Sequence, residues 1–192
     1  MATLNTTNIK HASSGSNNIV LAADGSVSMP NSSFGKLLQV VSTTKTDTAS
    51  ETIAAGATGN DITGLTVSIT PSNASNKIFL TCTLSASSSG FGISFYKAGS
   101  ILSGAIGDTS GSKARVFATN NFSGYYIYPS TIQYLDTAGG TSAITYSVRM
   151  LNASAYSLTT AINYNSTARS ALGAGSLDLV GVSTITAMEI AA

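Results

Sequence analysis

From Gly35 onward, apolar residues recur at every second position in short runs separated by turn residues. Leu65, Val67 and Ile69 alternate with Thr66, Ser68 and Thr70 up to Pro71, the period of a half-buried strand. Ile78, Leu80, Cys82 and Leu84 share one face of Lys77 to Ser85, the strongest strand in the chain. Leu37 to Val41 opens the region and continues as an alternating Thr/Ser/Lys run to Ile53. Gly92 to Tyr96 and Ser100 to Leu102 bracket Ala98-Gly99 as a hairpin. Phe117, Tyr125 to Tyr128, Thr131 to Leu135, Ala143 to Leu151, Ser157 to Tyr164 and Ser183 to Ile190 supply the remaining strand segments. With no amphipathic helical period between them, about eight to ten strands predict an all-β domain over residues 35–192, a jelly-roll-like β-sandwich.

Residues 1–34 have a different texture: a thin, Asn/Ser/Gly-rich ribbon, expected to be an extended N-terminal β arm. Its one clear signal is a hairpin, with Ile19-Val20-Leu21 and Val27-Ser28-Met29 flanking Asp24-Gly25, a pair that accepts the positive φ of a tight turn. A two-stranded ribbon this poor in apolar residues does not bury enough surface to stand alone, so it is expected to pair with a sister chain, the head or a partner. Attachment and trimerisation are therefore assigned to the arm, chiefly to Ile9, His11, Ile19, Leu21, Val27 and Met29.

Composition narrows the function classes. Only 9% of residues are charged and the net charge is +1, so no electrostatic footprint for nucleic acid or an anionic membrane is present. No apolar run is long enough to cross a bilayer as a helix, and the first residues lack the pattern of a secretory leader. A single cysteine, Cys82, excludes an intrachain disulfide, and its place between Leu80 and Leu84 reads as a small buried hydrophobe.

His11, the one histidine, lies in the arm, which excludes a Ser–His–Asp constellation within the head and any histidine-based metal site there. The acids are scattered. Asp61 and Asp136 stand in turn sequences and are expected to cap backbone amides, while Asp47 and Glu51 are expected on a solvated strand face. There is no phosphate loop or dinucleotide fingerprint, and no cofactor or metal is expected. These readings point away from an enzyme, although two acids brought together by folding would suffice for a glycan depolymerase. Phe117, Phe122, Tyr125, Tyr126, Tyr128 and Tyr134 form an aromatic cluster, and of these Tyr125, Tyr126, Tyr128 and Tyr134 are the candidate receptor or interface surface. The competing reading of such residues is sandwich core.

The opening Asn8-Ile9-Lys10-His11-Ala12-Ser13-Ser14, leading to Asn17-Asn18-Ile19-Val20-Leu21 with Asp24-Gly25 and Val27 behind it, resembles the start of fibre-like and other virion structural proteins of tailed bacteriophages, those of aquatic phages and cyanophages above all. Gly35 to Thr48 resembles the start of their C-terminal domain, and the likeness continues through Asp61 to Pro71, Ser75 to Ile78 and Ile185 to Ile190. Residues Ser87 to Ala174 carry none of it. The resemblance implies an intertwined homotrimer on the virion surface, assembled in the host cytoplasm without disulfides. Three placements compete. A capsid-decorating or cement protein, seated on the major capsid protein through its arm, fits the short length. A short tail fibre or spike tip, bound to tail proteins and reading a host surface glycan, is the alternative. A depolymerase is the remote third.

Overall fold

The computed structural model describes residues 6–29, 36–88, 90–120, 126–165 and 179–192. The chain divides into two compact units, Met1–Lys36 and Leu37–Ala192. In the first unit, β1 (Asn8–Ile9), β2 (Ile19–Leu21) and β3 (Val27–Ser28) form an antiparallel sheet in that order. The β2–β3 turn follows the Asp-Gly signal: Gly25 takes φ +83°, and the Ser26 N–H donates to Asp24 Oδ1 at 2.9 Å. The hairpin's neighbour is nearer in sequence than expected. Asn8–Ile9 supplies a third strand, tied in by the Asn18 N–H on Ile9 O at 3.0 Å and the Leu21 N–H on Thr7 O at 2.9 Å.

The second unit is all β. Its strands are β4 (Leu37–Lys45), β5 (Ala49–Ile53), β6 (Thr66–Ile69), β7 (Lys77–Ser87), β8 (Phe91–Lys97), β9 (Ser100–Ile101), β10 (Ala118–Asn120), β11 (Tyr128–Thr137), β12 (Ile144–Leu151), β13 (Leu158–Ile162) and β14 (Ser183–Ile190). A 3-10 turn at Ser103–Ala105 is the one helical element among the described residues. One sheet holds six strands, in the order β4-β14-β7-β13-β5 with β11 on the other side of β7. The other holds five, β10-β8-β12-β6 with β9 beside β8. Pairing is antiparallel throughout, and the chain crosses from one sheet to the other on most of its connections, as a jelly-roll-like sandwich requires. Between the sheets lie Leu65, Val67, Ile69, Ile78, Leu80, Ile93, Phe95, Ile132, Val148 and Ile185, all at most 2% exposed. Each such side chain contributes about 1.5–3 kcal/mol over its exposed state.

Three polar devices lock the sandwich, and the first of them, Asp136, overturns a sequence expectation, as does Asp61 on the outer face of the five-stranded sheet. Asp136 does not cap a turn. It stands in β11 with its carboxylate turned inward, accepting from Lys97 Nζ at 2.8 Å and from the Tyr146 hydroxyl at 2.7 Å, so it bridges the two sheets. Burial, then the neighbouring Asp136 carboxylate, pushes the Tyr146 hydroxyl pKa far upward, so it stays a donor. Asp61 likewise caps no amide: its Oδ1 accepts from Arg149 Nε at 2.7 Å and Ser147 Oγ at 2.6 Å, and the Arg149 contact chiefly holds its pKa low. The expected carboxylate at a turn finds a cation instead because β12 presents Ser147 and Arg149 on its outer face beside it.

The second device is Glu189. Along β14, Ser183, Ile185, Ala187 and Glu189 all face inward, and the Glu189 carboxylate is 1% exposed. It accepts from Gln39 Nε2 (2.6 Å), the Ser72 N–H (2.7 Å), Ser72 Oγ (2.8 Å) and Asn76 Nδ2 (2.6 Å). Burial works to raise its pKa, but these four donors outweigh it and bring the pKa down to about 2. The third device is Asn163, fully buried at φ +65°. Its Nδ2 donates to Lys45 O (2.8 Å) and Asp47 O (3.0 Å), and its Oδ1 accepts from Ser183 Oγ (2.6 Å). Asn163 thereby pins the break that divides the expected Leu37-to-Ile53 run into β4 and β5.

Candidate functional site

The arm residues picked from sequence come together on one face. Residues directly opposite in an antiparallel pair lie on the same side of the sheet. The register pairs Ile9 with Ile19 and Leu21 with Val27, and Ile19 and Leu21 are two apart. Ile9, Ile19, Leu21 and Val27 therefore form one apolar face, leaving Asn8, Val20 and Ser28 on the other. Ile9 is 44% and Val27 61% exposed, and Met29 beyond them is 55% exposed. His11 does not join that face. Its backbone N–H donates to Asn18 Oδ1 at 2.8 Å, and its ring Nδ1 accepts from the Ser13 N–H at 3.2 Å, so it shapes the β1–β2 connection.

A second apolar surface, which sequence reasoning did not single out, lies on the outer side of the six-stranded sheet. Alternation along each strand sends every second residue inward and leaves Val40, Ser42 and Thr44 of β4 outside, with Met188, Thr186 and Thr184 of β14, Phe79, Thr81 and Thr83 of β7, and Leu135, Gln133 and Thr131 of β11. The register sets them in three cross-strand rows: Val40–Met188–Phe79–Leu135, Ser42–Thr186–Thr81–Gln133 and Thr44–Thr184–Thr83–Thr131. The first row is apolar, and its ends, Val40 and Leu135, are each 51% exposed. The other two rows offer hydroxyls and one amide. Ser42 Oγ and Thr186 Oγ1 lie 2.8 Å apart and Thr83 Oγ1 and Thr131 Oγ1 2.9 Å apart, which holds the hydroxyls in ordered pairs. None of these positions is charged. The first charge is Lys77 at the border, whose Nζ is turned onto Thr137 Oγ1 at 2.8 Å.

The tyrosines do not form one surface. Tyr125 and Phe122 lie outside the described residues. Tyr126 is 45% exposed and meets Tyr128 edge-on, ring centres 6.0 Å apart. Tyr128 and Tyr134 occupy the inward phase of β11, and Tyr134 packs against the core, so at Tyr134 the core reading prevails over the receptor reading. Phe117 goes the same way, edge-on to buried Phe95 at 6.1 Å.

Two cavities carry polar groups. The larger, about 420 Å³, is lined by Phe91, Gly92, Val116, Thr119, Asn120, Leu151 and Ser154 among others, with no charged side chain. The smaller, about 190 Å³, is lined by Glu51 and Asp61 with Asn60, Ile62, Thr63 and Ile162. Glu51 is not on a solvated face as expected. Its Oε1 accepts from the Asn60 N–H at 2.7 Å, its Oε2 is buried without a partner, and burial raises its pKa. Asp61 is already held by Arg149, whose guanidinium in turn stacks over the Tyr96 ring at 4.3 Å. The two carboxyls thus have pKa values shifted in opposite directions, but Asp61 is committed to an ion pair and would have to leave it to act on a substrate. Asp47, by contrast, is exposed and paired with Lys45 Nζ at 2.6 Å, which lowers its pKa. Cys82 is 1% exposed, and burial pushes its thiol up to about 12, so it is no nucleophile near neutrality.

No protein-family model matches the chain, and no curated protein matches it. The functional reading therefore rests on these surfaces and on the resemblance carried by the sequence.

Proposed function

We propose that this chain is a structural subunit of a tailed-bacteriophage virion: a homotrimeric capsid-decorating or cement protein that attaches to the major capsid protein through its N-terminal unit. The observation that carries the reading is the apolar face Ile9–Ile19–Leu21–Val27 on a small sheet with no buried residue among its described ones. Three short strands with this little apolar area are marginal in water, and covering that face is what an attachment contact would do. The head is in keeping with that reading, because the carboxylates of Asp136, Asp61 and Glu189 are held in structural locks. The uncharged cavity beside Phe91 and Asn120 favours one second reading, a tail-fibre tip that takes up a neutral glycan.

Cryo-electron microscopy of the particle with the protein labelled tests the placement. Density repeated over the capsid faces is the expected result, and density confined to the tail would replace it with the fibre reading. At the contact itself, Val27→Glu in the full chain should abolish incorporation into particles while leaving the head's thermal transition in place. Wild-type occupancy of this variant would overturn the attachment role.

A further inference from the structure

We propose that the outer face of the six-stranded sheet is covered by a second copy of this chain, stacked over the Val40–Met188–Phe79–Leu135 row. This deepens the self-association part of the function proposed above and rests on it.

Charge decides the kind of occupant. The three rows present apolar groups and hydroxyls, with no ion among them, so a charged partner surface would lose its hydration and gain no counter-ion. The occupant has to be neutral and flat. The outer face of the five-stranded sheet fails this test, since it carries Arg149 and Asp61 as an ion pair. The matching surface is the same face on another copy. There, apolar row meets apolar row, and hydroxyls, being both donors and acceptors, satisfy their own kind. With a net charge of +1, two copies meet almost no long-range repulsion.

The area is of the right order. Four strands about 4.8 Å apart and three rows about 6.8 Å apart span on the order of 400 Å² in projection. That is about half of the roughly 800 Å² per partner that a stable contact needs. The flanks extend the same uncharged surface, with Leu38 and Ile190 at one end and the hydroxyl pair Thr52 and Thr159, 2.9 Å apart, at the other. Sheets stacked in this way pack about 10 Å apart with their strands nearly aligned.

Light scattering on the full chain tests the inference. The unsubstituted protein should run as an assembly of more than one 19.4 kDa chain. Val40→Glu combined with Leu135→Glu, both at exposed positions, should weaken association by about a hundredfold or more and give the single-chain mass, with cooperative thermal unfolding kept. Thr145→Glu, at an exposed site on the outer side of the five-stranded sheet, should leave the assembly as it was. A double variant that keeps the wild-type mass overturns the face assignment while self-association stands. An unsubstituted chain that is already single overturns both. Should the double variant lose its cooperative transition, the unsubstituted chain still decides. Met188 should be oxidised by hydroxyl radicals several-fold more slowly when assembled than after dilution, and equal rates overturn the proposal.

Discussion

Replacing Glu189 by alanine removes one carboxylate and leaves four donors facing the space it filled. Two of them have somewhere else to go. Gln39 Nε2 also reaches Thr70 O at 2.7 Å, and Asn76 Nδ2 reaches Ser72 Oγ at 3.2 Å. The Ser72 hydroxyl is near solvent, which leaves the Ser72 N–H as the donor most dependent on the carboxylate. Hydrogen bonds to a charged group contribute about 1.5–3 kcal/mol each, and breaking one side of a buried charged network costs about 3–5 kcal/mol. Because half the donors are rescued, we expect Glu189→Ala to sit near the lower end, about 3 kcal/mol. Glu189→Gln should cost less, about 1–2 kcal/mol, since its carbonyl oxygen can still face Ser72 and Asn76 while its amide meets the Gln39 amide donor to donor. Urea unfolding at pH 7 and one fixed protein concentration measures both, the concentration being held because association adds to apparent stability. The pH dependence follows from the direction of the shift. The folded-state pKa is lowered from 4.5 to about 2, so the carboxylate's contribution is fully present above pH 4.5 and fades as pH falls toward 2. The difference between wild type and Glu189→Gln should shrink over that window. An alanine variant within about 0.5 kcal/mol of wild type, or a gap that does not narrow with acid, would refute the reasoning.

Asn163→Ala should destabilise the head by about 3–4 kcal/mol, since it removes three side-chain bonds at a buried left-handed position, while Asn163→Gly should cost roughly 1 kcal/mol less because glycine accepts that backbone freely. Chemical denaturation of the two variants checks the order, and a glycine variant less stable than the alanine one would be the wrong result. Cys82→Ser should lower stability by about 1–3 kcal/mol by putting a hydroxyl among Leu80 and Leu84, and leave particle binding unchanged. In the native wild type a thiol reagent should label Cys82 only as fast as the chain unfolds, and rapid labelling in native buffer would show that the sulfur is not buried as described.

The strands were legible because period two is a local property. β6, β7 and β14 fall where Leu65 to Ile69, Lys77 to Ser85 and Ser183 to Ile190 alternate, and the hairpins sit on Asp24-Gly25 and Ala98-Gly99, with Gly25 at φ +83° and Gly99 at φ +80°. Alternation also shows which residues share a face, and in that sense Glu189 was visible: it stands in phase with Ile185 and Ala187, at a core position. What alternation cannot supply is which strand lies beside which. Gln39 and Ser72, the partners that make a buried Glu189 tolerable, lie 150 and 117 residues away and arrive only through the sheet order. The same holds for Asp136, which reads as a turn residue beside Gly139 and Gly140 until Lys97 and Tyr146 are brought over it from the facing sheet. The rows across the outer face were hidden for that reason too, since each contributes one residue from four separate stretches of chain.

The place of β14 has a consequence for how the head is made. It lies between β4 and β7, both of which precede it by more than ninety residues, and it pairs with each along nearly its whole length. In its native pairing the nascent chain therefore leaves a gap in the middle of its larger sheet until residues 183–190 emerge and the closing strand enters between two edges that run parallel to each other. Such late, non-local closure makes for slow folding, on the order of milliseconds to seconds, with sticky edges exposed meanwhile. A chain stopped before Ser183 would lose the centre of the sheet rather than its rim, and the cell would read it as unfolded.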